Sequence, residues 1–106
     1  MKRYDVCWAD LDPVQGSEMA KTRPVVVVSL DELNAMLKTV TICPLTTQLH
    51  PAWRSRLPCR VGGRKAEIAV DQIRTVSKAR LGAKAGRLSA DEAQALRRLI
   101  TEMYGE

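Results

Sequence analysis

The chain has 106 residues, with 17 Lys and Arg against 12 Asp and Glu, a formal net charge of +5 and a pI of about 9.4. That length accommodates one domain, residues 1–106, with a single modest core, and excludes a multidomain architecture. No apolar run approaches the roughly 20 residues of a membrane helix and no secretory segment is present; Cys7, Cys43 and Cys59 are far apart with no CxxC pair, which excludes a disulfide scaffold or zinc knuckle and predicts a reducing, cytoplasmic location.

In chain order, Asp5 to Leu11 alternates well enough for a first strand, with Val6, Trp8 and Leu11 as candidates for its inner face. Asp12 to Thr22 carries Pro13, Gly16, Ser17 and Glu18, the composition of an exposed, mobile loop, and leads straight into Arg23. Val25 to Val28 is short, continuous and β-branched, so it predicts a strand buried on both faces rather than a surface helix. Pro24 holds Arg23 extended and needs no ladder hydrogen bond at the start of a strand. A second strand, Thr39 to Leu45, follows Asp31 to Lys38, which has room for a turn and one short helical segment, so the two strands pair antiparallel. Pairing symmetric about the Asn34/Ala35 midpoint sets Arg23 opposite Thr46, with Cβ atoms roughly 5 Å apart. Pro44 predicts that the second strand is an edge or ends near Leu45.

Gln48 to Trp53, with His50 and Pro51, reads as a loop. Arg54 to Val61 reads as an edge-like strand with a basic outer face, Gly62-Gly63 as a hairpin turn and Ala66 to Val70 as the returning strand. Asp71 to Val76 continues it past a bend, and Gly82 and Gly86 mark turns beyond. Ser89 with Glu92 is a capping box, and Ala93, Leu96, Leu99, Ile100 and Met103 form an apolar stripe at helical spacing. The predicted fold is a strongly bent antiparallel sheet of five or six strands with one long C-terminal helix, an SH3-like small barrel of the mainly-β or α+β class.

Charge is not evenly spread. From Arg54 to Arg87 the cations are Arg54, Arg56, Arg60, Arg64, Lys65, Arg74, Lys78, Arg80, Lys84 and Arg87, against only Glu67 and Asp71, a clustering that favours a polyanionic partner over a solvated face. A phosphate-cradling glycine loop, a GxSxG elbow and a metal-ligand cluster are absent, and a single imidazole, His50, excludes an RNA-cleaving pair of histidines. What remains is a rim with Arg23, Thr46 and Thr47, and with Glu18, Asp71 and Gln72 close by. Guanidinium and hydroxyl donors suit the equatorial oxygens of a phosphate as it gains charge, each worth about 10² to 10³ in rate when preorganised. On RNA the neighbouring 2′-OH can attack, so neither metal nor activated water is required. Asp71 or Glu18 is left as the base, or Arg23 acts by electrostatics, since Arg is not deprotonated in proteins. The same residues also fit a strand-end cation, two β-forming threonines and a turn-capping Asp. Trp53 beside Arg54 fits either a base-stacking platform or a core aromatic.

Four blocks in order, D-V-x-W-x-D-L-D-P-x-x-G-S-E from Asp5 to Glu18, K-T-R-P-V-V-V-V-S from Lys21, P-L-T-T-Q at Pro44 to Gln48 and D-Q-I-R-T-V at Asp71 to Val76, resemble the MazF/PemK/Kid toxin family. The resemblance implies a homodimer and a sequence-selective, metal-independent endoribonuclease, an mRNA interferase that cuts single-stranded RNA by 2′-OH attack to a 2′,3′-cyclic phosphate and a 5′-hydroxyl. It places the catalytic arginine on Arg23, the catalytic threonine on Thr46 and the further acidic groups on Asp71 and Glu18. Expected RNA contacts are Ser17, Lys21, Thr47, Gln48, Trp53, Arg54, Arg56, Gln72 and Arg74. No cofactor and no metal are implied; the expected partner is a cognate acidic antitoxin whose extended tail occupies the basic groove. Tyr4 stands where the family usually has Gly, Ala69 where the Kid branch has Arg, and Ser17 where that branch has His. The alternatives are a gyrase-poisoning toxin of the CcdB branch, against which Tyr104-Gly105-Glu106 offers no apolar aromatic tail, and a non-catalytic nucleic-acid-binding barrel.

Overall fold

The strand that begins at Arg23-Pro24 is the centre of the molecule. In the computed structural model, which describes residues 1–12, 15–19 and 21–105, Val25, Val26 and Val27 have no solvent exposure. Val26 joins one apolar cluster with Val6, Cys43, Leu45, Ile68 and Leu96, while Val25 and Val27 join another with Cys7, Ala9, Leu11, Val40, Ile42 and Val76. A β-branched run is what a strand needs when both of its faces are apolar.

Around it the order of elements is β1 (Asp5–Asp10), β2 (Thr22–Val27), α1 (Asp31–Met36), β3 (Thr39–Thr46), β4 (Arg56–Val61), β5 (Arg64–Ala69), β6 (Arg74–Ser77), β7 (Leu81–Arg87) and α2 (Ala90–Tyr104). The sheet has seven strands rather than five or six, in the order β4-β5-β3-β2-β1-β7, with β6 also paired to β3. The expected curled antiparallel sheet with a C-terminal helix is what the chain forms.

The β2–β3 register is Val25↔Pro44, Val26↔Cys43 and Val27↔Ile42, the symmetry about Asn34/Ala35 that the sequence predicts. Val28 N–H donates to Thr41 O at 2.9 Å, which makes that pair hydrogen-bonded. By alternation Val25/Pro44 is a non-hydrogen-bonded pair, and the same register continued past the end of the ladder sets Arg23 across from Thr46. The ladder ends between these pairs because Pro24 has no N–H to donate.

Pro44 is fully buried in an interior strand, not at an edge, while the other expectation for it, that the strand ends near Leu45, holds, since β3 stops at Thr46. The same alternation aims its nitrogen away from β2, towards the side where β3 changes partner: β6 is paired as far as Ile42, and β5 takes over at Leu45. No ladder donor is needed at that handover, so an interior proline costs nothing there. Gly82 and Gly86, expected in turns, lie inside β7. A Cβ on Gly86 would stand 3.4 Å from Val61 Cγ1, so β7 approaches β4 closely and the curl nearly closes. Gly62 and Gly63, with φ of 59° and 79°, do turn the chain, between β4 and β5.

β1 alternates as predicted, but Leu11 shares a face with Cys7 and Ala9, opposite to Val6, and Trp8 on the Val6 side remains 44% exposed. The capping box forms as expected: Glu92 N–H donates to Ser89 Oγ at 3.1 Å, and Ser89 N–H to Glu92 Oε1 at 2.8 Å. The second Glu92 oxygen accepts Arg60 N–H at 2.8 Å, which ties the start of α2 to β4. Ala93 and Leu96 are buried and Leu99, Ile100 and Met103 pack against the first cluster. All three cysteines are free and buried; burial pushes the Cys43 and Cys59 thiols up to about 12.

Candidate active site

Pro24 stops the β2–β3 ladder, and the last residues on either side of the stop open onto a cavity of about 640 Å³ at one end of the curled sheet. Arg23, Thr46, Thr47 and Gln48 border it, the start of β5 contributes Arg64 and Lys65, and Trp8, Pro24, Leu45, Val61 and Ala85 supply an apolar floor. The guanidinium and the hydroxyl singled out by strand symmetry therefore share one concavity. Thr46 Oγ1 accepts Gln48 N–H at 3.1 Å, which leaves its O–H to donate elsewhere.

Above this end lies the described part of the loop after β1. Arg23 Nη1 donates to Met19 Sδ at 3.6 Å, Met19 N–H donates to Gln72 Oε1 at 3.4 Å, and Glu18 Oε2 stands 4.0 Å from Arg74 Nη1. Pro13, Val14 and Ala20 of the predicted loop lie outside the described residues. Arg74 Nη1 is buried and has no hydrogen-bond partner among the described residues. Ser17 and Lys21 are exposed, and Lys21 N–H is held by Asp12 Oδ1 at 3.0 Å.

Asp71 is engaged elsewhere: Arg56 Nε donates to its Oδ1 at 2.9 Å. Burial pushes the Asp71 carboxyl up, but hydrogen bonds from Arg56 and Ser55 and the Arg56 charge outweigh this and hold it below the usual carboxylate range. The Arg56 guanidinium lies 4.7 Å from the Trp53 ring centroid, and Trp53 stacks on His50 at 3.9 Å and 10°. This column is separate from the Arg23 cavity; Arg56 borders a second cavity of about 490 Å³ beside β4. Arg54 pairs with Glu102 of α2.

One carboxylate not singled out in the sequence lies nearer. Glu67 on β5 is the register partner of Thr46, only 4% exposed, and accepts His50 N–H at 2.8 Å. Trp8, Arg64 and Lys65 are further residues missed as site residues. Nothing within β5 marks Glu67, because its burial comes from the strands on either side.

The fold class follows from superposition. Over 100% of this chain and 97% of the other, the structure matches MazF from Deinococcus radiodurans with a TM-score of 0.86 at 18% identity. A mycobacterial endoribonuclease in complex with its cognate antitoxin matches with a TM-score of 0.82 at 19% identity, over 99% of this chain and 95% of that one. These define a curled small barrel with a terminal helix.

The chain belongs to the PemK-like, MazF-like toxin family of type II toxin–antitoxin systems, whose family model matches residues 2–104. Endoribonuclease MazF of Staphylococcus saprophyticus is 38% identical over 97 residues, which span 84% of this chain and 78% of that protein.

Proposed function

We propose that this protein is a sequence-selective endoribonuclease that cuts single-stranded RNA in the Arg23/Thr46 cavity. The 2′-oxygen attacks the adjacent phosphorus, the P–O2′ bond forms as the P–O5′ bond breaks, and the products are a 2′,3′-cyclic phosphate and a 5′-hydroxyl. One proton leaves the 2′-OH and one arrives on the departing 5′-oxygen, so no water is consumed and no metal is needed to make a nucleophile. Arg23 and the Thr46 O–H hold the phosphoryl oxygens as negative charge grows on them. Glu18, half exposed on the loop above Arg23, takes the 2′-OH proton. Asp71, held ionised by Arg56, positions that side of the groove. Gln48, Thr47, Arg74 and the flanking cations carry the strand.

The observation that carries this reading is the placement of a guanidinium and a hydroxyl from two neighbouring strands on one cationic concavity. Assembly as a homodimer and neutralisation by an acidic antitoxin belong to the same proposal. The test is digestion of single-stranded RNA in excess EDTA, with end-group analysis of the fragments. Cleavage leaving 5′-hydroxyl ends is expected, and Arg23→Ala is expected to lose at least about 10²-fold in rate with its circular dichroism unchanged. Full activity in that variant, or binding of RNA with no cut product, overturns the assignment.

A further inference from the structure

Trp8 is the largest side chain on the cavity floor, and burial of its own chain does not account for it. Its neighbours in β1, Cys7 and Ala9, are at most 1% exposed, whereas Trp8 is 44% exposed. On one side it faces Pro24. On the other, the β1–β7 register slips between Cys7↔Lys84 and Ala9↔Leu81, so β7 carries one residue too many opposite it. A bulge of this kind interrupts the ladder beside Trp8, and bulges recur next to active sites. The result is an exposed indole on an apolar floor, walled by Pro24, Leu45, Val61 and Ala85 and ringed by Arg23, Arg64, Lys65 and Gln48.

We propose that this floor is a nucleobase site: the base of a nucleotide flanking the scissile phosphate stacks on Trp8, with Arg64 and Lys65 taking the next phosphate and the Gln48 amide reading the base edge. This deepens the endoribonuclease reading and rests on it for the identity of the strand. The aromatic surface suits a π-face and the cations suit the backbone, a pairing typical of single-strand binding. An apolar peptide side chain would use the floor but not the cationic ring so fully.

The chain has two tryptophans, Trp8 and Trp53. With Trp53→Phe, Trp8 is the sole indole emitter, and a mixed-sequence 2′-O-methyl RNA decamer, which cannot be cut, reports on it directly. Expected results are quenching of Trp8 by the decamer, none by inorganic polyphosphate of matched charge, and binding about 5- to 150-fold weaker in Trp8→Leu, with Trp8→Phe recovering part of the loss. Equal quenching by polyphosphate, quenching only of Trp53 in the Trp8→Phe protein, response to a glutamate-rich peptide but not to RNA, or undiminished affinity in Trp8→Leu each overturns the site. If unmodified RNA quenches Trp8 but is never cut, the cleavage reading falls and the base site stands. If Trp8→Leu cuts RNA with unchanged kcat/KM, the base site falls and the cleavage reading stands.

Discussion

Glu67 illustrates how a charged side chain can serve a site without touching the substrate. Glu67 sits across from Thr46 in register, and its carboxylate holds the backbone of His50 in the loop that continues β3. Glu67→Gln keeps an acceptor and is expected to retain cleavage. Glu67→Val loses it, and a displacement of the loop by about 1 Å would lower kcat by as much as about 10²-fold; the His50 amide shift in ¹⁵N NMR reads the latch independently of activity. Arg74 makes the opposite trade. A buried guanidinium nitrogen without a hydrogen bond costs about 1–3 kcal/mol, so Arg74→Met is expected to melt at the same temperature or higher while binding RNA more weakly. Lower stability together with full binding would refute that role. Tyr4 shows a third case: its φ of 71° is a conformation glycine adopts without strain, which explains the Gly of the family, while its ring is held here between Arg3 and Arg97 at 4.8 and 5.8 Å.

Arg23 opposite Thr46 was legible because pairing symmetric about the Asn34/Ala35 midpoint sets the two residues across from each other, and Val25↔Pro44 keeps that register. Glu67 and Trp8 were not. A glutamate inside a strand reads as solvent-facing until its cross-strand neighbours are known, and a tryptophan reads as core until the face it shares with Val6 is seen to open onto a cavity.

At the level of elements, the terminal helix was the most readable, because its cap and its stripe are both local. Ser89→Ala removes the acceptor for Glu92 N–H and is expected to cost about 1 kcal/mol, a fall in Tm of roughly 4–8 °C for a domain of this size. A calorimetric melt unchanged by the substitution would show that the Glu92 bond to Arg60 alone positions the helix. Pro44 marked the end of β3 but not its interior place in the sheet, and Gly82 misled, for one reason: proline and glycine punctuate a chain locally, whereas their tolerance in β3 and β7 depends on partners far away in sequence. The handover from β6 to β5, and the bulge opposite Trp8, cannot be seen within either strand.

For the whole molecule, pH and charge set the working range. Asp5, Asp71 and Glu92 are all held below the ordinary carboxylate range, in each case because hydrogen bonds, and for both aspartates nearby cations, outweigh the upward push of burial. A carboxyl depressed in the folded state contributes stability that is fully present above its unfolded value and is lost as pH falls through its folded value. Unfolding free energy is therefore expected to be flat through neutrality and to decline below about pH 4. Asp71→Asn should shallow that decline in urea titrations, and an unchanged slope would remove Asp71 from the account. The basic half predicted from composition did gather part of its charge at the cavity, through Arg64 and Lys65, but Arg54, Arg56, Lys84 and Arg87 are engaged in ion pairs with the protein's own carboxylates.

The change of partner along β3 divides the sheet into two leaves. The smaller leaf, β4 with β5, joins β3 through the Leu45↔Ile68 and Thr46↔Glu67 pairs and the terminal helix through Arg60 N–H to Glu92. A hairpin held to its sheet by so short a ladder is expected to open more readily than the valine strand, which would change the gap over Trp8. Amide exchange should accordingly be faster along Arg64 to Ala66 than along Val25 to Val27 and slow when an oligonucleotide is bound, so that breathing of one hairpin sets how wide a strand the barrel admits.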